Sequence, residues 1–210
     1  MRPVRPAGSA GFTFIEMALV LVISGIVLAV GVPSMSNWIL ARKAVDAAGF
    51  YKDGLAMARS QALAHNSASR LVLVDNANGQ MDWRVDICFP TDSEPCTDST
   101  GSWSSPTAAA TGDPEAPGGF RSLLRSASNL PQSNAMVSSV LAEGADEVYF
   151  TPLGWVDGRM SPRISRIQLA PSARRSGAFK PVAVALTLAG IATICNPDPA
   201  DLSPKKCPPQ

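Results

Sequence analysis

Charge is scarce in this chain and imidazole almost absent: 17% of its 210 residues are Asp, Glu, Lys or Arg, and His65 is the sole histidine. One histidine excludes a His-rich metal centre and most His-centred acid–base chemistry. The 18 Lys plus Arg nearly balance 17 Asp plus Glu, so no global field attracts nucleic acid or an anionic membrane surface, although local patches remain open. The chain also lacks a Gly-x-Ser-x-Gly nucleophile elbow and a glycine-rich phosphate loop. No enzyme, cofactor or metal is expected. What remains is 46% hydrophobic residues, 18 Pro, 16 Gly and four Cys, a composition suited to a loop-containing extracytoplasmic domain.

The charges that exist are unevenly spread. After Arg2, Arg5 and Glu16, the next charge is Arg42, which leaves 25 uncharged residues between Glu16 and Arg42. The apolar run Phe12 to Val32 would span roughly 30 Å as a helix, one bilayer hydrocarbon core. It reads as a transmembrane helix. A cleaved secretory signal fits less well, because the run is long for one, no clean Ala-x-Ala site follows, and a carboxylate sits near its start. A charge there costs a few kcal/mol on insertion scales and is usually functional or paired.

Beyond Pro33 helical periodicity continues. Trp38, Ala41, Val45, Ala48, Leu55, Ala58 and Ala62 recur at helical steps, while Arg42, Asp46, Gly49 and Asp53 fall on another face. This small-residue stripe suits close packing on a sheet, and His65-Asn66-Ser67 signals its end. Strands are expected at Arg70–Asp75, Asp82–Phe89, Glu147–Thr151, Ile164–Ala170, Val182–Leu188 and Ile191–Ile194. The intervening segment 90–119, rich in Pro, Ser, Thr, Gly and Ala, reads as a surface loop within one sheet-forming head, more filler than recognition element. The expected class is α+β, a long N-terminal helix packed on one antiparallel sheet.

The run Gly11-Phe12-Thr13-Phe14-Ile15-Glu16, following the basic leader MRPVRPAGSAG, closely resembles the prepilin leader of type IV pilins and type II secretion pseudopilins. The resemblance implies cleavage after Gly11 by a membrane prepilin peptidase, N-methylation of Phe12, and a role for Glu16, the fifth mature residue, in meeting a neighbour's N-terminus during assembly. Phe14 stands where Leu is commoner, and Pro33 falls where such helices often carry a kink. The segment Leu55 to Ala62 looks like the "LARSEAI" stretch of GspH/FimT minor pilins and pseudopilins, and Trp83–Phe89, Val148–Gly154 and Ala189–Cys195 resemble that family's strands more weakly.

The resemblance implies a lollipop-shaped subunit: leader 1–11, transmembrane assembly helix 12–32, amphipathic helix 33–66 and β-rich head 67–210. It would sit in the inner membrane by a single pass, with its head in the periplasm, and then enter a pilus or pseudopilus. Its partners would be the prepilin peptidase, other minor and major pilins or pseudopilins, the inner-membrane assembly platform and the membrane itself.

Neither cysteine spacing, Cys88 to Cys96 or Cys195 to Cys207, matches paired zinc ligands, so disulfides are expected in an oxidising compartment. Four cysteines allow three connectivities. The local pairs are favoured, because each closes a short loop rich in Pro and Asp, which would leave no free thiol nucleophile. A C-terminal disulfide loop over 195–207 also resembles those of type IV pilins and tilts the subclass from secretion towards a pilus.

Charge in the head is segregated. Residues 71–120 hold eight acidic side chains against Arg84 alone, and residues 121–180 hold eight basic against four acidic ones. Solvated faces are one account. The sharper expectation is docking between unlike faces of neighbouring subunits, with Arg163, Arg166, Arg174 and Arg175 as candidate docking residues. DNA uptake in FimT-like proteins is associated with an arginine-bearing motif on the C-terminal hairpin. The matching turn here, Ala189 to Cys195, has no arginine, and no aromatic interleaves the four arginines for base stacking. DNA is therefore not an expected partner.

Overall fold

The structure, a computed structural model, describes residues 11–198, 200 and 203–208. The leader expected over 1–11 lies outside the described residues except for Gly11. The chain divides into two compact units at Ile39/Leu40, although one helix, α1 (Phe14–His65), contributes residues to both and is assigned without interruption through position 33. The fold is α+β, with one long N-terminal helix and two antiparallel sheets.

In the first unit α1 is apolar and long enough to cross a membrane. Its large side chains, including Leu19, Leu21, Val27 and Leu28, are open to solvent in the isolated chain. Such a surface costs free energy in water and none in hydrocarbon. By length and composition this is a helix able to cross a membrane once.

In the second unit α1 is buried along Leu40, Ala44, Ala47, Ala48, Tyr51, Leu55, Ala58 and Ala62. This corrects the periodicity reading in part. Ala48, Leu55, Ala58 and Ala62 face the core, whereas Trp38 and Val45, apolar but exposed, do not. The closest approach falls at Gly54, where an added Cβ would lie 2.9 Å from both Leu71 and Trp83 side chains. Hydrogen bonds stitch the same seam: Ser69 Oγ donates to the Ala58 carbonyl at 2.6 Å, and Trp83 Nε1 to the Phe50 carbonyl at 3.0 Å. The Tyr51 hydroxyl accepts from the Met81 amide at 3.2 Å, and burial raises its pKa.

The helix stops where its sequence predicts. Asn66 takes φ +46, the Ser67 amide reaches back to the Ala62 carbonyl at 3.1 Å and the Asn66 amide to Leu63 at 3.4 Å. That is the double reverse bond of a Schellman cap, with Asn supplying the left-handed residue.

Among the described residues eight strands follow: β1 Ala68–Asp75, β2 Met81–Cys88, β3 Leu123–Arg125, β4 Met136–Leu141, β5 Glu147–Phe150, β6 Arg166–Pro171, β7 Val182–Leu186 and β8 Ala192–Cys195. They form two four-stranded sheets, ordered β3-β2-β1-β5 and β4-β6-β7-β8. The single sheet expected from the sequence is thereby corrected to two, and β3 and β4 are additional strands. The residues facing inward from both sheets, among them Leu71, Trp83, Val148, Ile167 and Val184, join the buried stripe of α1 in one core.

Strand β7 is covered on its other face as well. Ala183 and Ala185 pack with Cys195 and Cys207 in a small second cluster. The polar tail, too poor in apolar residues to hold itself down, is pinned there by the disulfide and by a bridge from Asn196 to Lys206.

Candidate functional site

Three places carry the chemistry singled out in the sequence: the start of α1, the charged face of the first sheet, and a cleft beside the second.

At the start of α1 the backbone of Thr13 is the N-cap. Its carbonyl accepts the first helical bond from Met17 at 3.2 Å. Its hydroxyl accepts from the Glu16 amide at 3.3 Å, and the Glu16 carboxylate accepts from the Thr13 amide at 3.4 Å. This reciprocal pair is a capping box. Thr13-Phe14-Ile15-Glu16 carries that signature in the sequence, so Glu16 is a helix cap as well as the charge expected in assembly. Glu16 is exposed beside Phe12 and Phe14, themselves exposed. The cap leaves much of the carboxylate's capacity to accept bonds unused, since one ionised carboxylate offers about four lone-pair sites.

On the first sheet, register places Arg70 of β1 opposite Asp86 of β2 on one side and Tyr149 of β5 on the other. Arg70 Nε donates to Asp86 at 3.0 Å and Nη1 to Glu147 at 3.4 Å, while Arg84 Nε reaches Asp86 at 2.9 Å. Tyr149 donates to Glu147. Burial would lower the Arg70 pKa, but Glu147, Tyr149 and Asp86 outweigh it and raise it. Burial, and then Glu147, raise that of Tyr149. The indole of Trp103 covers the guanidinium at 4.4 Å from the ring centroid.

That contact alters the picture of loop 90–119. The loop has no strand, as expected, yet it is anchored. Trp103 Nε1 donates to the Thr97 carbonyl at 2.8 Å, Ser104 exchanges bonds with the Ile87 backbone at 2.8 and 3.0 Å, and Cys96 is bonded to Cys88. Asp113 accepts the amides of Glu115 and Phe120, both at 2.9 Å. The segment is largely exposed but tied down at these points, and Trp103 covers a partly buried ion network.

Both local cysteine pairs are present as disulfides, Cys88–Cys96 and Cys195–Cys207, and no free cysteine is left. No family model, curated protein or solved structure matches this chain.

The structure divides the segregated charges. Of the eight acidic residues in 71–120, Asp82, Asp86 and Asp113 have internal work: Asp82 accepts from Asn76 at 2.7 Å and the Ala127 amide at 2.6 Å, and the other two are bound as described above. Eight minus three leaves five exposed carboxylates, Asp75, Asp92, Glu94, Asp98 and Glu115. The four candidate arginines also part company. Arg174 and Arg175 are exposed on a short 3₁₀ turn, Ala173–Arg175, whereas Arg163 and Arg166 line a cleft of about 590 Å³ beside β6 and β7. Among the described residues, no cluster of three His, Cys, Asp or Glu side chains is placed to hold a metal ion.

Proposed function

We propose that this chain is a non-enzymatic assembly subunit of the pilin type, a minor subunit of a type IV pilus held in the membrane by the first half of α1 until it enters a filament. The observation that carries this is the start of α1: an exposed carboxylate at Glu16, four residues after Phe12, heading an exposed apolar helix. Removal of the leader after Gly11 would create an ammonium group at Phe12. A neighbouring subunit's ammonium would then complement Glu16, and the apolar surface would exchange lipid for helix neighbours. Glu16 thus does two jobs, capping its own helix and offering charge to the next subunit.

The same helix would serve a minor pseudopilin of a type II secretion system. The Cys195–Cys207 loop over β7 favours the pilus.

Two substitutions separate the two jobs. Gln accepts the Thr13 amide as Glu does, so Glu16→Gln keeps the cap and removes the charge; Thr13→Ala removes the hydroxyl of the cap and keeps the charge. Both variants are expected to fractionate with membranes, with Glu16→Gln entering filaments at least about tenfold less, the effect of losing about 1.4 kcal/mol of pairing. Normal incorporation of Glu16→Gln would overturn the charge role. Mass spectrometry of the membrane-extracted protein should find N-methylated Phe12 as the first residue.

A further inference from the structure

The cleft beside β6 and β7 has an unusual lining. Among the described residues that line it, two are arginines, Arg163 and Arg166, and none is acidic, in a chain whose acids and bases are almost equal in number. Its apolar lining includes Val156, Leu186 and Leu188. Arg166 is poorly partnered for a half-buried guanidinium. Its Nε is buried with no hydrogen-bond acceptor, and its Nη2 donates at 2.8 Å to a neutral acceptor, the Pro208 carbonyl of the tail. An arginine stays charged at every physiological pH, and a charge drawn out of water needs a counter-charge. Among the described residues the walls of the cleft do not supply one.

We propose that the cleft receives the acidic turn 91–98 of a second copy of this chain, with Glu94 meeting Arg163 and Arg166 and Pro95 resting on Val156 and Leu188. The turn is built for presentation. Cys96 ties it to the end of β2, the backbones of Thr91 and Glu94 exchange bonds at 3.2 and 3.3 Å, and the Thr91 hydroxyl accepts the Glu94 amide at 3.0 Å. Asp92, Glu94, Pro95 and Asp98 are all exposed, and no ion pair between described residues involves the three carboxylates. A rigid acidic donor loses little entropy on docking. Donor and acceptor are separate patches of one chain, the turn following β2 and the cleft flanked by β6 and β7, so each copy offers both halves of the contact. It extends the assembly role proposed above to the globular unit and rests on that role for its setting.

The test uses full-length protein in detergent micelles, with two differently tagged populations and one captured by its tag. Wild-type capture of wild type is expected to fall several-fold between about 50 mM and 500 mM salt, as exposed ion pairs are screened. Arg163→Glu with Arg166→Glu, and separately Asp92→Lys with Glu94→Lys and Asp98→Lys, should each lose about tenfold in capture of their own kind, and mixing the two variants should restore it. Arg163→Glu alone is a second, milder variant, and thermal unfolding with intact-mass counting of both disulfides establishes folding. Unchanged self-capture in either reversal, or no recovery in the mixture of folded variants, overturns the docking. Self-capture that Glu16→Gln lowers but the reversals do not touch would also overturn it, while leaving the helix assembly role standing.

Discussion

The two halves of α1 share one backbone conformation and differ in what their side chains have to meet. Up to Ile39 the helix carries Leu, Ile and Val on every side, almost all exposed; from Leu40 it buries a stripe dominated by alanine, with Gly54 at its tightest point. Large aliphatic side chains maximise apolar area where the solvent is to be lipid, whereas alanine and glycine let a helix lie close on strands whose own Leu71, Trp83 and Val85 fill the space. Helix propensity does not separate the halves. Surface chemistry does.

Substitutions test that contrast most strongly where packing is tightest. Leu55→Ala in the second half should destabilise the globular unit by about 3 kcal/mol, whereas Leu21→Ala in the first should leave its denaturation midpoint unchanged; equal losses would erase the distinction. Opening the tail disulfide with Cys195→Ser and Cys207→Ser frees a closed loop of about a dozen residues, worth on the order of 2–3 kcal/mol, and should render the tail sensitive to protease while leaving membrane extraction as before. Gly54→Leu drives a branched side chain against Leu71 and Trp83 and should cost about 2 kcal/mol by overpacking, whereas Gly25→Leu, with open space around it, should not lower unfolding stability. The smallest effect belongs to Asp157, whose pKa is lowered chiefly by its hydrogen bond from Arg159. A carboxyl depressed in the folded state stabilises it above the ordinary carboxylate pKa and loses that contribution as pH falls through the lowered folded value. An acid titration of stability should therefore show Arg159→Ala diverging from wild type above the carboxylate range and converging below it.

How far the sequence revealed this structure depended on whether a feature was local. The end of α1 was legible because Asn66 and Ser67 act on carbonyls three and five residues back. Six strands were legible from apolar alternation. β3 was not, because Leu123, Leu124 and Arg125 are all exposed on a sheet edge and alternate nothing. Nor was β4, whose centre is Ser138-Ser139. The split into two sheets depends on pairings such as Ile167 with Val184 and Val140, which no local pattern encodes. Trp38 and Val45 misled the stripe because an apolar residue at a helical step need not face inward. Loop 90–119 looked like filler because its anchor, Trp103 over Arg70, joins residues far apart in sequence. At the candidate site both the charge of Glu16 and its cap with Thr13 are local features, and Thr13-Phe14-Ile15-Glu16 encodes the two together.

Trp83 has a consequence of another kind. Its indole is 4% exposed, donates to the Phe50 carbonyl and lies within 5.9 Å, centroid to centroid, of the Phe50 ring, whereas Trp38 is 59% exposed. Two of the chain's four tryptophans therefore sit in opposite environments. Emission from Trp83 should already be blue-shifted in the folded protein and move to the red only when α1 parts from β2. Emission from Trp38 should start red and shift to the blue only if lipid or a neighbouring subunit removes water from its surroundings. Single-tryptophan versions of the protein would thus follow unfolding and assembly as two separate optical signals.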